Sequence, residues 1–245
     1  MSKTLTLTRP DDWHLHVRDG AVLKDVLAHT SNQFARAVIM PNLKPPVTSV
    51  DLAKAYRSRI DSALKQLGIS HFTPLMTLYL TDITSPDEVR KASENQIIGF
   101  KLYPAGATTN SDAGVTNIKH AYPALEAMQK YSVPLLIHGE VTESAIDIFD
   151  REAVFIDRIL KPVRKDFPEL RIIFEHITTK QAAHYVRDAD TKGKNTLGAT
   201  ITARASAPSI ALVILATAAA SDPSATRIAI DRPTISCGSS GPSMI

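Results

Sequence analysis

Val133-Pro134-Leu135-Leu136-Ile137-His138 is an unbroken apolar run that ends on a histidine. It is apolar on both faces, as a strand of a covered parallel sheet must be. Working outward, runs of the same kind recur at Leu5–Thr8, Arg36–Met40, Phe72–Leu80, Ile97–Tyr103, Arg171–Glu175 and Thr196–Thr200. Helical patterns lie between them. Ser49 to Leu67 opens on an N-cap serine, spaces its apolar residues by three and four, and stops at Gly68. Ser85-Pro86-Asp87-Glu88 reads as N-cap, proline at the first helical position and acidic first turn. Ile146 to Leu160 is amphipathic and is expected to end before Pro162. Strands alternating with helices predict parallel pairing through right-handed crossovers, either an open doubly wound sheet or a (β/α)8 barrel. No Gly-x-Gly-x-x-Gly follows the first run, which counts against a dinucleotide fold.

The chain has 245 residues, 44% of them hydrophobic, enough for a single α/β barrel. Its formal charge of +3 comes from 28 basic and 25 acidic side chains, interspersed. No basic stripe alternates with aromatics, so no nucleic-acid partner is expected. Cys237 is the single cysteine, which excludes an intrachain disulfide. No signal-peptide pattern follows Met1, and the longest apolar run, Ile210 to Ala220, is too short to span a bilayer. A cytoplasmic protein without a membrane partner is expected. The composition breaks near residue 203. All eight histidines, the tryptophan, seven phenylalanines and six tyrosines precede it, and residues 203–245 are dominated by Ala, Ser, Thr and Pro. Two regions are therefore expected, 1–202 and 203–245.

The polar residues cluster where apolar runs end. His14 and His16 stand at i and i+2, so in an extended segment both side chains point the same way, at a separation suited to one metal. Taken alone, such a pair is more often two unrelated surface histidines. His138 and His176 each follow an apolar run as well. Four histidines at the carboxyl ends of three strands point to a metal site, because that face of a barrel carries the chemistry. Lys101 closes another run; by residue type it is a snorkelling strand-end lysine, or an amine kept neutral that reacts with carbon dioxide. Arg18 is a bidentate carboxylate donor just beyond the paired histidines, and Asn42 ends the second run. Residues 104–111, with Thr108 and Thr109, form either a lid with hydroxyl donors or a solvated loop. Asp150-Arg151-Glu152 reads as an ion network on a helix surface.

Arg9-Pro10-Asp11-Asp12-Trp13-His14-Leu15-His16-Val17-Arg18, Met40-Pro41-Asn42-Leu43, Lys101-Leu102-Tyr103-Pro104, His138-Gly139-Glu140-Val141-Thr142, Asp147 to Glu152 and Phe174-Glu175-His176-Ile177-Thr178-Thr179 resemble the single-function bacterial dihydroorotases of the amidohydrolase superfamily. The resemblance runs in order over about residues 5–202. It implies a (β/α)8 TIM-type barrel with two zinc ions. His14 and His16 would hold one, His138 and His176 the other, and carboxylated Lys101 would bridge them. Arg18 and Asn42 would bind the substrate carboxylate, Thr108 and Thr109 would sit on a mobile closing loop, and His138 would also face the substrate. The implied reaction is the reversible cyclisation of N-carbamoyl-L-aspartate to dihydroorotate in pyrimidine synthesis, by a homodimer. One feature departs from the pattern. The family's eighth strand carries a Gly-Thr-Asp-Ser-Ala-Pro-His-like motif with the catalytic aspartate, and residues 203–245 hold only Asp222 and Asp231, in other settings. The expected barrel is therefore incomplete, with seven family-like strands, and the catalytic residue is unassigned. So abrupt a change to an Ala/Ser/Pro-rich tail is what an out-of-frame reading of a GC-rich gene gives. A catalytically dead barrel acting as a scaffold is the alternative. Ile210–Ala216 is the tail segment able to fill the place of the eighth strand.

Overall fold

The computed structural model describes residues 9–189 and 196–201. Its strands are β1 (Asp11–Leu15), β2 (Arg36–Ile39), β3 (Thr73–Met76), β4 (Leu78–Leu80), β5 (Phe100–Leu102), β6 (Leu135–His138), β7 (Ile172–Ile177) and β8 (Leu197–Ile201). All neighbouring pairs are parallel, in the order β1-β2-β3 and β4-β5-β6-β7-β8. β3 and β4 are halves of one stave, because only Thr77 separates them. The run Phe72–Leu80 is thus two strands where one was expected. The buried Thr77 hydroxyl donates to the Ile39 carbonyl, so a side chain takes a place in the ladder and frees the backbone to switch partners from β2 to β5. Among the described residues seven staves of a TIM-type barrel result. The expected strand Leu5–Thr8 and the segment Ile210–Ala216 lie outside the described residues, and the first strand described is β1.

Helices cover the outer face: α1 (Ala21–Gln33), α2 (Val50–Gln66), α3 (Pro86–Glu94), α4 (Tyr122–Lys130), α5 (Arg151–Phe155), α6 (Lys161–Asp166) and α7 (Lys180–Arg187). Ser49 caps α2 by accepting from the Leu52 N–H, and Ser85 caps α3 by accepting from Glu88. The helix expected over Ile146–Leu160 begins later and continues further. A π-helical turn, Ile156–Leu160, joins α5 to α6, and Pro162 lies inside the first turn of α6. The wider turn relieves the clash between a proline ring and the carbonyl four residues earlier, so the proline does not end the helix. Among the described residues no helix is long and apolar enough to cross a membrane.

The strands divide their side chains between two apolar layers. Ile39, Phe100, Leu102, Leu135, Ile137, Ile172 and Phe174 pack with Leu27, Tyr56, Ile60, Leu125, Met128 and Phe155 of the helices. Val38, Met40 and Leu136 form a second cluster with Leu75, Ile98 and Ile173. Period-two geometry puts Lys101, His138 and Glu175 on that second, inner face, toward the carboxyl ends of their strands.

Candidate metal centre

Four imidazole rings follow one another edge to face. Centroids of His16 and His14 are 4.9 Å apart, His14 and His176 5.0 Å, and His176 and His138 4.7 Å. Ring nitrogens face one another in pairs: His14 Nε2 is 3.1 Å from His16 Nε2, and His138 Nδ1 is 3.2 Å from His176 Nε2. The residues come from β1, β6 and β7, whose carboxyl ends meet there. His176 reaches the site by a backbone irregularity. Glu175 already faces inward, so alternation would send His176 outward. Instead His176 has φ +42°, the β7–β8 register slips between Phe174 and Ile177, and two consecutive side chains turn inward. Its N–H is satisfied by the Thr200 hydroxyl at 2.7 Å. Gly139 has no room for a Cβ, which would strike the Phe174 ring, so the chain beside His138 passes close over the core.

Lys101 is fully buried beneath the rings and pairs with Glu175. Burial pulls its ammonium pKa down against the attraction of that carboxylate. Glu175 also lies 3.2 Å from His14 Nδ1. The sequence reading did not place Glu175 in the site; its signal was its position beside His176 in an otherwise apolar strand. His14, Glu175 and His176 form a group of the size that holds a metal ion.

Asn42 joins the site to the loop that follows β5. Its Oδ1 lies 2.8 Å from His16 Nδ1, its Nδ2 donates to the Thr109 carbonyl at 3.0 Å, and its own carbonyl accepts from Asn110 Nδ2 at 3.0 Å. Thr108 and Thr109 are exposed, and Ser111 ties their loop together. Arg18 sits at φ +60°, with its carbonyl accepting from the Tyr56 hydroxyl. Its Nη1 is buried and unpartnered, like the Tyr103 hydroxyl and His138 Nε2. Glu152 is not part of a surface ion network. It is 7% exposed and accepts from the Thr178 and Thr179 N–H groups and the Thr179 hydroxyl. It thereby fixes the turn between His176 and α7, at the N-terminal end of that helix, where a carboxylate is favoured.

The donor set fits divalent zinc. Burial above all, with nearby positive groups, lowers the pKa of His16 to about 4 and that of His176 to about 2. Both rings are therefore neutral at pH 7, the form that binds metal. The same shifts fix a pH dependence. The unfolded rings take up protons near pH 6.5, whereas the folded ones refuse them, so the unfolded state binds more protons below that pH and stability falls with acidification. Between pH 7 and pH 5 each ring is expected to weaken the metal-free fold by about 2 kcal/mol. Urea midpoints at the two pH values measure this, and a midpoint that does not move would contradict it.

The amidohydrolase family profile matches residues 11–223. A dihydroorotase of Cupriavidus taiwanensis is 64% identical over 204 residues, 83% of this chain and 58% of that protein. A crystal structure of dihydroorotase from Campylobacter jejuni superposes with TM-score 0.70 at 41% identity, covering 79% of this chain and 54% of that one. Dihydroorotase from Saccharomyces cerevisiae in complex with 5-fluoroorotic acid gives TM-score 0.70 at 34% identity, covering 79% of this chain and 55% of that one. The chain thus spans little more than half the length of these relatives.

Proposed function

The chain belongs to the amidohydrolase family, and from that premise we propose that it is a zinc-dependent dihydroorotase that interconverts N-carbamoyl-L-aspartate and dihydroorotate. The observation that carries this reading is the succession of four rings with paired, inward-facing nitrogens above a buried lysine. His14 and His16 would hold one zinc through Nε2, and His138 and His176 the other. Lys101, as its carbamate, would bridge them. Bound zinc supplies Lewis acidity and lowers the pKa of water. The remaining work falls to the chain. Arg18 offers an unpartnered buried donor to a substrate carboxylate. Asn42 holds His16 and the 104–111 loop, so the bound carboxylate takes over one of its existing contacts. Thr108 and Thr109 close over the substrate from that loop.

One observation favours a second reading, an inactive barrel that binds a partner: residues 203–245 contain no Thr-Asp-Ser segment to supply a proton-transferring carboxylate. Calorimetry of the zinc-loaded chain with dihydroorotate, and with a five-membered cyclic ureide as control, tests the first reading. Selective binding of dihydroorotate that requires zinc is expected. Equal or absent binding of the two ligands would overturn it.

A further inference from the structure

Glu175 stands outside the ligand set proposed above, yet like Lys101 its side chain is fully buried. Its Oε2 faces both Lys101 Nζ and His14 Nδ1, and its Oε1 is buried without a partner. His14 has two ring nitrogens with different tasks. Nε2 faces His16 Nε2, where a shared metal would lie, and Nδ1, which has no hydrogen-bond partner, lies 3.2 Å from Glu175 Oε2. A neutral imidazole carries one proton, and a carboxylate 3.2 Å away draws that proton to Nδ1, leaving the Nε2 lone pair for metal. His16 is handled alike by a neutral group, since Asn42 Oδ1 accepts from its Nδ1.

We propose that Glu175 is a positioning residue of the metal centre rather than a ligand. It fixes the tautomer and ring plane of His14 and keeps Lys101 beneath the rings as its counter-ion until the lysine is carboxylated. A ligand role through Oε2 would require it to leave both of its neighbours, whereas the positioning role uses the contacts of that oxygen as they stand. The bulge at His176 supports it: turning two consecutive β7 side chains inward is needed only if Glu175 and His176 both serve the site. This inference rests on the metal-centre reading, but one arm of its test does not need metal.

The first arm is nitrogen-15 NMR of the histidine rings in the metal-free protein, with His14 assigned by its own substitution. The parent is expected to show His14 protonated at Nδ1, and Glu175→Leu a mixture of tautomers. A parent ring protonated at Nε2, or no change in Glu175→Leu, would overturn the proposal. The second arm measures zinc affinity against a competing chelator. Glu175→Ala is expected to weaken binding about 10–100-fold, and Glu175→Gln, which keeps an acceptor for Nδ1, to recover most of the loss. Affinity within twofold of the parent in both variants would refute it. A Gln variant as poor as Ala would also refute the tautomer role. A parent that binds no zinc would refute the metal-centre reading, and the first arm would still decide the part played by Glu175. Circular dichroism confirms that each variant is folded, and if Glu175→Ala or Glu175→Leu is not, the tautomer of the parent gives the decision: His14 protonated at Nε2 overturns the proposal.

Discussion

The zinc-loaded 245-residue chain is expected to open dihydroorotate roughly 10²–10⁴-fold more slowly than the Campylobacter jejuni dihydroorotase assayed beside it, the range that loss of a positioned acid–base group produces. Ring opening leaves a nitrogen that must receive a proton, and the described residues offer two carboxylates near the rings. Glu175 is engaged below them with Lys101 and His14. Glu140 lies 3.6 Å from His138 Nε2, and that imidazole, ahead of a smaller opposing effect of burial, holds its pKa below the ordinary carboxylate range. A carboxylate so held is a weaker proton acceptor, and so a poorer relay of a proton from water to that nitrogen. Residues 203–245 add Asp222 and Asp231, neither in a Thr-Asp-Ser setting. Turnover equal to that of the relative would show that a carboxylate of this chain does the work.

Lys101→Ala should remove most of the zinc and destabilise the metal-free protein as well. The two effects have separate origins. The first is loss of the carbamate oxygens, which a short carboxylic acid in the buffer should partly replace. The second is electrostatic: without Lys101, Glu175 is left charged and fully buried, and breaking such a pair costs about 3–5 kcal/mol. Lys101→Ala/Glu175→Leu should therefore be more stable than Lys101→Ala, yet bind zinc no better. Elemental analysis reads the metal and urea denaturation the stability. Unchanged zinc content in Lys101→Ala would reduce the lysine to a partner of Glu175.

Much of this site was legible because its residues interrupt apolar runs. His138 and Lys101 each end a stretch that packs on both faces, and His14-Leu15-His16 follows simple alternation. What was not legible depends on departures from alternation or on contacts distant in sequence. His176 faces inward through a positive φ that its neighbours do not announce. Glu152 has the composition of a surface position, and only the return of the chain at Thr178 and Thr179 buries it. Thr77 breaks the run Phe72–Leu80 through a bond to a carbonyl 38 residues earlier. Pro162 reads as a stop, and a local π turn carries the helix past it.

Asn42 links two processes that would otherwise be independent. One end of its amide meets His16, the other grips Thr109, and its carbonyl takes Asn110. Swinging the 104–111 loop away breaks two of these bonds and frees the amide to rotate off the ring. The position of the loop and the order of His16 therefore share a single free energy, and such linkage is reciprocal. A loop drawn down over a ligand sharpens the imidazole beneath it, and an ion seated on that imidazole draws the loop down before any ligand arrives.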